Sequence, residues 1–324
     1  MRLMKFLFLV CLLLQAVPAT SESLIIMAWD GAGKINVDRL MAEGRLPNLR
    51  QFISGAVYAP LSPNGSTETA AQWTAAFTGL EAAQTGVLAQ YDFAGTIDPT
   101  NYNNNTGIFV DMRFFLREVP WEDWVFESIT AADPARRFGW FVGKNVLQEA
   151  SFGAIPPNAD SASLRAAGPS GQGCVGPADD YIFDLESDAL TFMAGGGEYL
   201  MFVHTNPDHA GHHCGENSTE YEDDIVRSDD LLGVLRAADP NAKILLLTDH
   251  GFDEQGTHPT RHGHPNAPDL WLATDIGIDI AFRRGWPARA EMRDVAVTLL
   301  DWYGLPWLER VPQLRGKTLL PPAP

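Results

Sequence analysis

Apolar residues in this chain come in short unbroken runs, separated by longer stretches with helical periodicity. The runs at 24–28, 199–204 and 243–248 are continuous rather than alternating. That predicts strands buried on both faces of a parallel sheet. "RRFGWFVGK" and "PDLWLATD" predict two further strands. "NVDRLMAEGRLPNLRQFISG" predicts a helix, a break at Pro47 and a second short helix. Residues 69–79 have helical spacing and end on Gly79, a natural C-cap. "DDYIFDLESDALTFMAGG" predicts a helix, "STEYEDDIVRSDDLLGVLRAA" an acidic amphipathic helix, and "ARAEMRDVAVTLLDWYG" a closing helix. Residues 151–178 are rich in Gly, Pro, Ser and Ala and predict a long loop or small insertion. Strands alternating with helices imply an α/β fold: a mostly parallel central sheet with helices on both faces. No repeat or linker interrupts the pattern, so residues 20–324 are expected to form a single domain.

The first residues read differently. Arg2 and Lys5 precede an apolar run at 6–14, and Val17-Pro18-Ala19 follows. This predicts a signal peptide, residues 1–19, cleaved after Ala19; the apolar run is too short to span a membrane. A secreted or periplasmic location follows. Cys11 lies inside the run, leaving Cys174 and Cys214 as candidates for pairing in an oxidising compartment. The formal charge of −18 becomes −20 once Arg2 and Lys5 are removed. Such a chain is a poor partner for nucleic acid or an anionic membrane. A small phosphorylated substrate remains open, provided a metal supplies positive charge.

Candidate chemistry gathers where strands end, the usual place for ligands in parallel α/β sheets. The first run leads to Asp30, the second to Asp208, the third to Asp249-His250. Asp208 and His212 are four apart, so a helical turn or tight loop aims both at one point, and His209 and His213 crowd beside them. Carboxylates mixed with imidazoles suit catalytic zinc, with manganese or iron as alternatives. Two such cations about 4 Å apart clamp the attacking and leaving oxygens of a displacement at phosphorus. The nucleophile is then a hydroxyl touching one metal. Ser66, Thr67 and Thr69, just before a helix, are candidates, and each is equally an ordinary N-cap type.

Together these residues resemble the alkaline phosphatase superfamily, most closely its type I phosphodiesterase/nucleotide pyrophosphatase branch. "IIMAWDG", "TAAQWTAAFTGLEAAQTGV", "FVHTNPDHAGHHCG", "LLLTDHGF" and "MRDVAVTLLDWYGLP" carry the resemblance, which runs from about residue 24 to residue 317. It implies an alkaline phosphatase-like fold and two divalent ions, expected to be Zn2+. It favours Thr69, nine residues before the Thr78-Gly79 pair, as the nucleophile. It implies one ion on Asp208, His212 and a late histidine, and another on Asp30, Asp249, His250 and Thr69. For the late histidine it favours His258, eight residues beyond Asp249, over His262 and His264, although Pro259 stands where the family has Gly. Gln90 stands near the family's substrate-binding Asn, and Thr85 replaces a His. The expected activity is hydrolysis of a phosphate diester. A phosphomonoesterase or phosphoryl or phosphoethanolamine transferase of the same superfamily is the alternative, and a catalytically dead, metal-stabilised binding protein is another. A sulfatase is disfavoured, because residues 66–72 lack the Cys/Ser-x-Pro-x-Arg setting.

Overall fold

The structure is a computed structural model. It describes residues 22–81, 84, 125–142, 160–163, 178–252, 267, 269–279, 290–305 and 316–321. In chain order the elements are β1 (Leu24–Trp29), α1 (Lys34–Ala42), α2 (Pro47–Ile53), β2 (Val57–Ser62), α3 (Thr69–Thr78), α4 (Val125–Ala132), β3 (Phe138–Val142), β4 (Asp160–Ser163), α5 (Ala178–Ala194), β5 (Tyr199–His204), α6 (Asn206–Cys214), α7 (Thr219–Ala238), β6 (Lys243–Leu247), β7 (Leu270–Thr274), β8 (Ala290–Glu291) and α8 (Asp294–Trp302).

The strands form one sheet in the order β4-β3-β5-β1-β6-β7-β2-β8. β7 runs antiparallel to both β6 and β2, and every other pairing is parallel. The expectation of a mostly parallel sheet therefore holds. Its centre explains why the strands read as unbroken apolar runs. All six residues of β1 are buried. Leu24, Ile26 and Ala28 enter one core, shared with Trp73 and Phe77 of α3, Phe126 of α4 and Val297 of α8. Ile25, Met27 and Trp29 enter the other, shared with Leu40 of α1, Leu49 of α2, Leu185 of α5 and Leu232 of α7. A strand that fills two cores has no polar face to show.

Local signals set the helix ends. Pro47 opens α2 at its first turn, where a missing N–H costs nothing. Gly79 closes α3 in the left-handed conformation, φ 69°. Ser218 caps α7, its side chain accepting from the Tyr221 N–H. Three short elements depart from the sequence expectation. β2 contains Pro60, which cannot donate to a ladder and so hides the strand. β4 is four residues of "DSAS" at the sheet edge, inside the segment expected to be loop, and it lacks any apolar signature. β8 takes up Ala290–Glu291, which the helical reading had included in the closing helix. Residues 1–21, including the expected signal peptide, lie outside the described residues. Among the described residues no helix is long and apolar enough to cross a membrane.

Candidate active site

The sequence candidates converge at the carboxyl edge of β1, β5 and β6. β1 ends at Trp29, and Asp30 follows it directly, its N–H bonded to the His204 carbonyl of β5 at 3.0 Å. β6 ends at Leu247, and Asp249 and His250 lie just beyond. Asp208 does not end a strand. It sits in the first turn of α6, and His212 lies one turn further along the same helix. Thr69 opens α3.

Their distances define one centre. Thr69 Oγ1 lies 3.2 Å from His250 Nε2. Around the same nitrogen, Asp30 Oδ1 lies at 3.4 Å, Asp208 Oδ1 at 3.6 Å and Asp249 Oδ2 at 3.6 Å. His212 Nε2 is 3.5 Å from Asp208 Oδ1. That single Asp208 oxygen thus stands between two imidazoles. Thr69, Asp30, Asp249 and His250 are fully buried, and His212 is partly exposed.

The helix start disposes of the capping reading for Thr69. Glu68 holds the N-cap position of α3, and Thr69 is its first helical residue. Ser66 Oγ turns to Glu68, whose N–H it accepts at 3.3 Å. Thr67 is buried, His209 is exposed, and Cys214 ends α6. His258, His262, His264, Gln90, Thr85 and Cys174 lie outside the described residues.

Three carboxylates this close and this buried need a compensating charge. Burial alone would lower the pKa of His250. Asp249, Asp30 and Asp208 outweigh it and raise the value to about 9. An imidazolium contributes one positive charge; a divalent cation contributes two. Ligand atoms of Asp30, Asp249 and His250 lie within 4.8 Å of one another, a group able to hold a metal ion. Carboxylate oxygens with one imidazole are a donor set that zinc or manganese accepts. The residues present therefore fit the ion that the sequence pattern implies.

The loop that carries Asp30 is held from several sides, by residues the motif reading did not single out. The Gly31 N–H donates to Asp249 Oδ1 at 3.2 Å. Gly31 has φ +74°, and a Cβ there would lie 2.8 Å from the Asp208 Cα. Only glycine lets Asp30 and Asp208 approach this closely. The Trp271 Nε1–H donates to the Ala32 carbonyl at 2.8 Å, and Asp269 Oδ2 accepts from the Ile35 N–H at 2.7 Å. The Tyr221 hydroxyl also reaches this loop, from α7. Its signal in the sequence was a lone aromatic in the first turn of an otherwise acidic helix start.

Comparison with known proteins agrees with the motif reading. The family model "Type I phosphodiesterase / nucleotide pyrophosphatase" matches residues 24–258. The chain belongs to that family. No curated protein matches the sequence. Among solved structures, murine ectonucleotide pyrophosphatase/phosphodiesterase 5, in an inactive form complexed with AMP, is similar at 14% identity and a TM-score of 0.58. The match covers 88% of this chain and 95% of that one. A 2-O GAG sulfatase is similar at 13% identity and a TM-score of 0.57, covering 94% of this chain and 76% of that one. The lipoteichoic acid synthase LtaP from Listeria monocytogenes is similar at 12% identity and a TM-score of 0.53, covering 89% and 73%. At these identities the likeness is one of fold. Family membership supports a phosphodiesterase or pyrophosphatase type of activity on a small phosphorylated substrate.

Proposed function

We propose that this protein is an exported, two-metal phosphodiesterase in which Thr69 is the nucleophile. The observation that carries this reading is the Thr69 hydroxyl, buried 3.2 Å from His250 Nε2 where Asp30, Asp208 and Asp249 meet. Asp30, Asp249 and His250 would hold one ion beside Thr69. Asp208 and His212 would hold the second, with His258 as the third ligand. Bound divalent ions, expected to be Zn2+, would supply Lewis-acid stabilisation of charge on the attacking and leaving oxygens.

The chain's own residues do the rest. Thr69 Oγ1 gives up its proton and attacks phosphorus in line, the leaving oxygen departs with the bond's electron pair and takes up a proton to become the alcohol, and a phosphate ester of Thr69 forms. The backbone N–H groups at the start of α3 would bind a phosphoryl oxygen. Gln90, outside the described residues, would be the amide donor to the same group. Water then attacks phosphorus and releases Thr69. Residues 20–324 act as one catalytic domain, released after a signal peptide of residues 1–19.

The test uses bis-p-nitrophenyl phosphate and p-nitrophenyl phosphate, with metal analysis of the same samples. Wild type is expected to carry two ions and to prefer the diester. Thr69→Ala is expected to lose on the order of 10^3-fold or more in kcat while keeping both ions. Activity surviving in Thr69→Ala would remove Thr69 from the mechanism. Loss of both ions from Thr69→Ala would mean that the hydroxyl is needed to assemble the centre. Glycerol added to the assay separates hydrolysis from transfer, because a transferase forms the glycerol ester.

A further inference from the structure

Two aromatic rings tie the halves of this centre together. Tyr221, in the first turn of α7, is fully buried. Its hydroxyl donates to the Gly31 carbonyl at 2.8 Å and accepts from the Gly33 N–H at 3.2 Å. One side chain thus closes both ends of the three-residue loop that follows Asp30. Burial raises the phenol's pKa, so it stays protonated and remains a donor.

The Tyr221 ring stands edge-on to Phe252, with centroids 5.6 Å apart and planes at 89°. Phe252 in turn meets both histidines edge-on. His212 lies at 5.8 Å and 87°, and His250 at 6.1 Å and 80°. Such edge contacts orient rings as well as burying them. The backbone of α6 is cut to fit: a Cβ on Gly211 would lie 2.2 Å from the Phe252 ring. Any larger residue at 211 would displace Phe252 or the turn carrying Asp208 and His212.

We propose that Tyr221 and Phe252 form one positioning unit that sets His212, His250 and the Asp30 loop in mutual register, so that the two cation sites form together. This rests on the two-ion reading above. Neither residue touches the reacting atoms; each acts through groups that do. Partners behind metal ligands commonly govern affinity by 10–100-fold.

The experiment is chelator competition on the zinc-loaded full-length protein, with metal analysis at each step. Tyr221→Phe keeps the ring and its contact with Phe252 but removes both hydrogen bonds of the hydroxyl to the loop. The chelator concentration that strips half of the Asp30–Asp249–His250 ion is expected to fall by about 10-fold or more. Phe252→Leu is expected to weaken both ions by a comparable factor. The rise in Tm on zinc loading is read in parallel. A merely structural defect lowers the loaded and stripped Tm alike and leaves that rise unchanged; a positioning role shrinks it. Wild type holding fewer than two ions would sink the two-ion reading and this proposal with it. Wild type holding two ions, with Tyr221→Phe and Phe252→Leu holding both as tightly, would sink the positioning role alone.

Discussion

Two fully buried histidines flank β1, and they have opposite chemistry. His204 ends β5, the strand on one side of β1; His250 follows β6, the strand on the other. His250 has three carboxylate oxygens within 3.4–3.6 Å of Nε2, and its pKa rises to about 9. His204 faces the core beneath α5 and α7. Its Nδ1 meets Ser228 Oγ at 2.5 Å, and Glu186 Oε1 stands 3.9 Å from Nε2. Burial, aided by the positive charge of Arg227, lowers its pKa to about 3. Equal burial thus disfavours the imidazolium in one place, while carboxylates favour it in the other. The neighbouring carboxylates decide, and they are also what would draw a metal. A histidine at a strand end marks a site only when Asp residues from several strands arrive with it.

The sharpest way to break this comparison is to remove each ring. His250→Ala is expected to lose one of two ions and on the order of 10^3-fold in kcat. His204→Gln is expected to keep both ions and stay within about 3-fold of wild-type turnover, since an interior swap of similar size perturbs mainly stability. An ion lost from His204→Gln would mean that the two histidines belong to one site.

Acid sharpens it next. A group with a depressed pKa binds fewer protons folded than unfolded between the two values. The His204 contribution is therefore fully present above pH 6.5 and is lost as pH falls from 6.5 toward 3. Between pH 7 and pH 5 it is worth about 2 kcal/mol. Urea denaturation of wild type and His204→Gln at the two pH values reads the difference, which the variant should lose. Equal pH slopes would show that burial does not depress the His204 pKa in the fold. The smallest effect is Ser228→Ala, which removes a neutral hydrogen bond partner of His204. It should cost about 1 kcal/mol at pH 7 and leave metal content untouched.

Much of the centre was legible because the apolar runs named the central strands and the polar residues immediately after them named the edge. Asp30, Asp249 and His250 follow β1 and β6 so closely that strand direction alone brings them together. Asp208 was legible by motif, with a helical turn and a tight loop both open; the structure has it in the first turn of α6, packed against Gly31. Tyr221 and Phe252 escaped because aromatic residues in a helix or beside a strand ordinarily announce a core. Their relation to the site is a matter of long-range contact. β2 and β4 were missed for local reasons, one holding a proline and the other having only Ala162 as an apolar residue.

Among the described residues β7 is the one strand that runs backward, and it pairs directly with β6, Leu247 opposite Leu272. The chain that leaves the functional edge at Thr248 must therefore return to that same edge before Leu270. Its two ends touch: a Cβ on Gly251 would lie 3.0 Å from the Asp269 Cβ. Those ends, Gly251 and Asp269, flank the segment that carries His258, His262 and His264, which lies outside the described residues. A sheet with one reversed strand thus makes a single connection begin and end beside its carboxyl edge, so that both of its flanks, Gly251 and Asp269, are fixed by the strands that frame the centre.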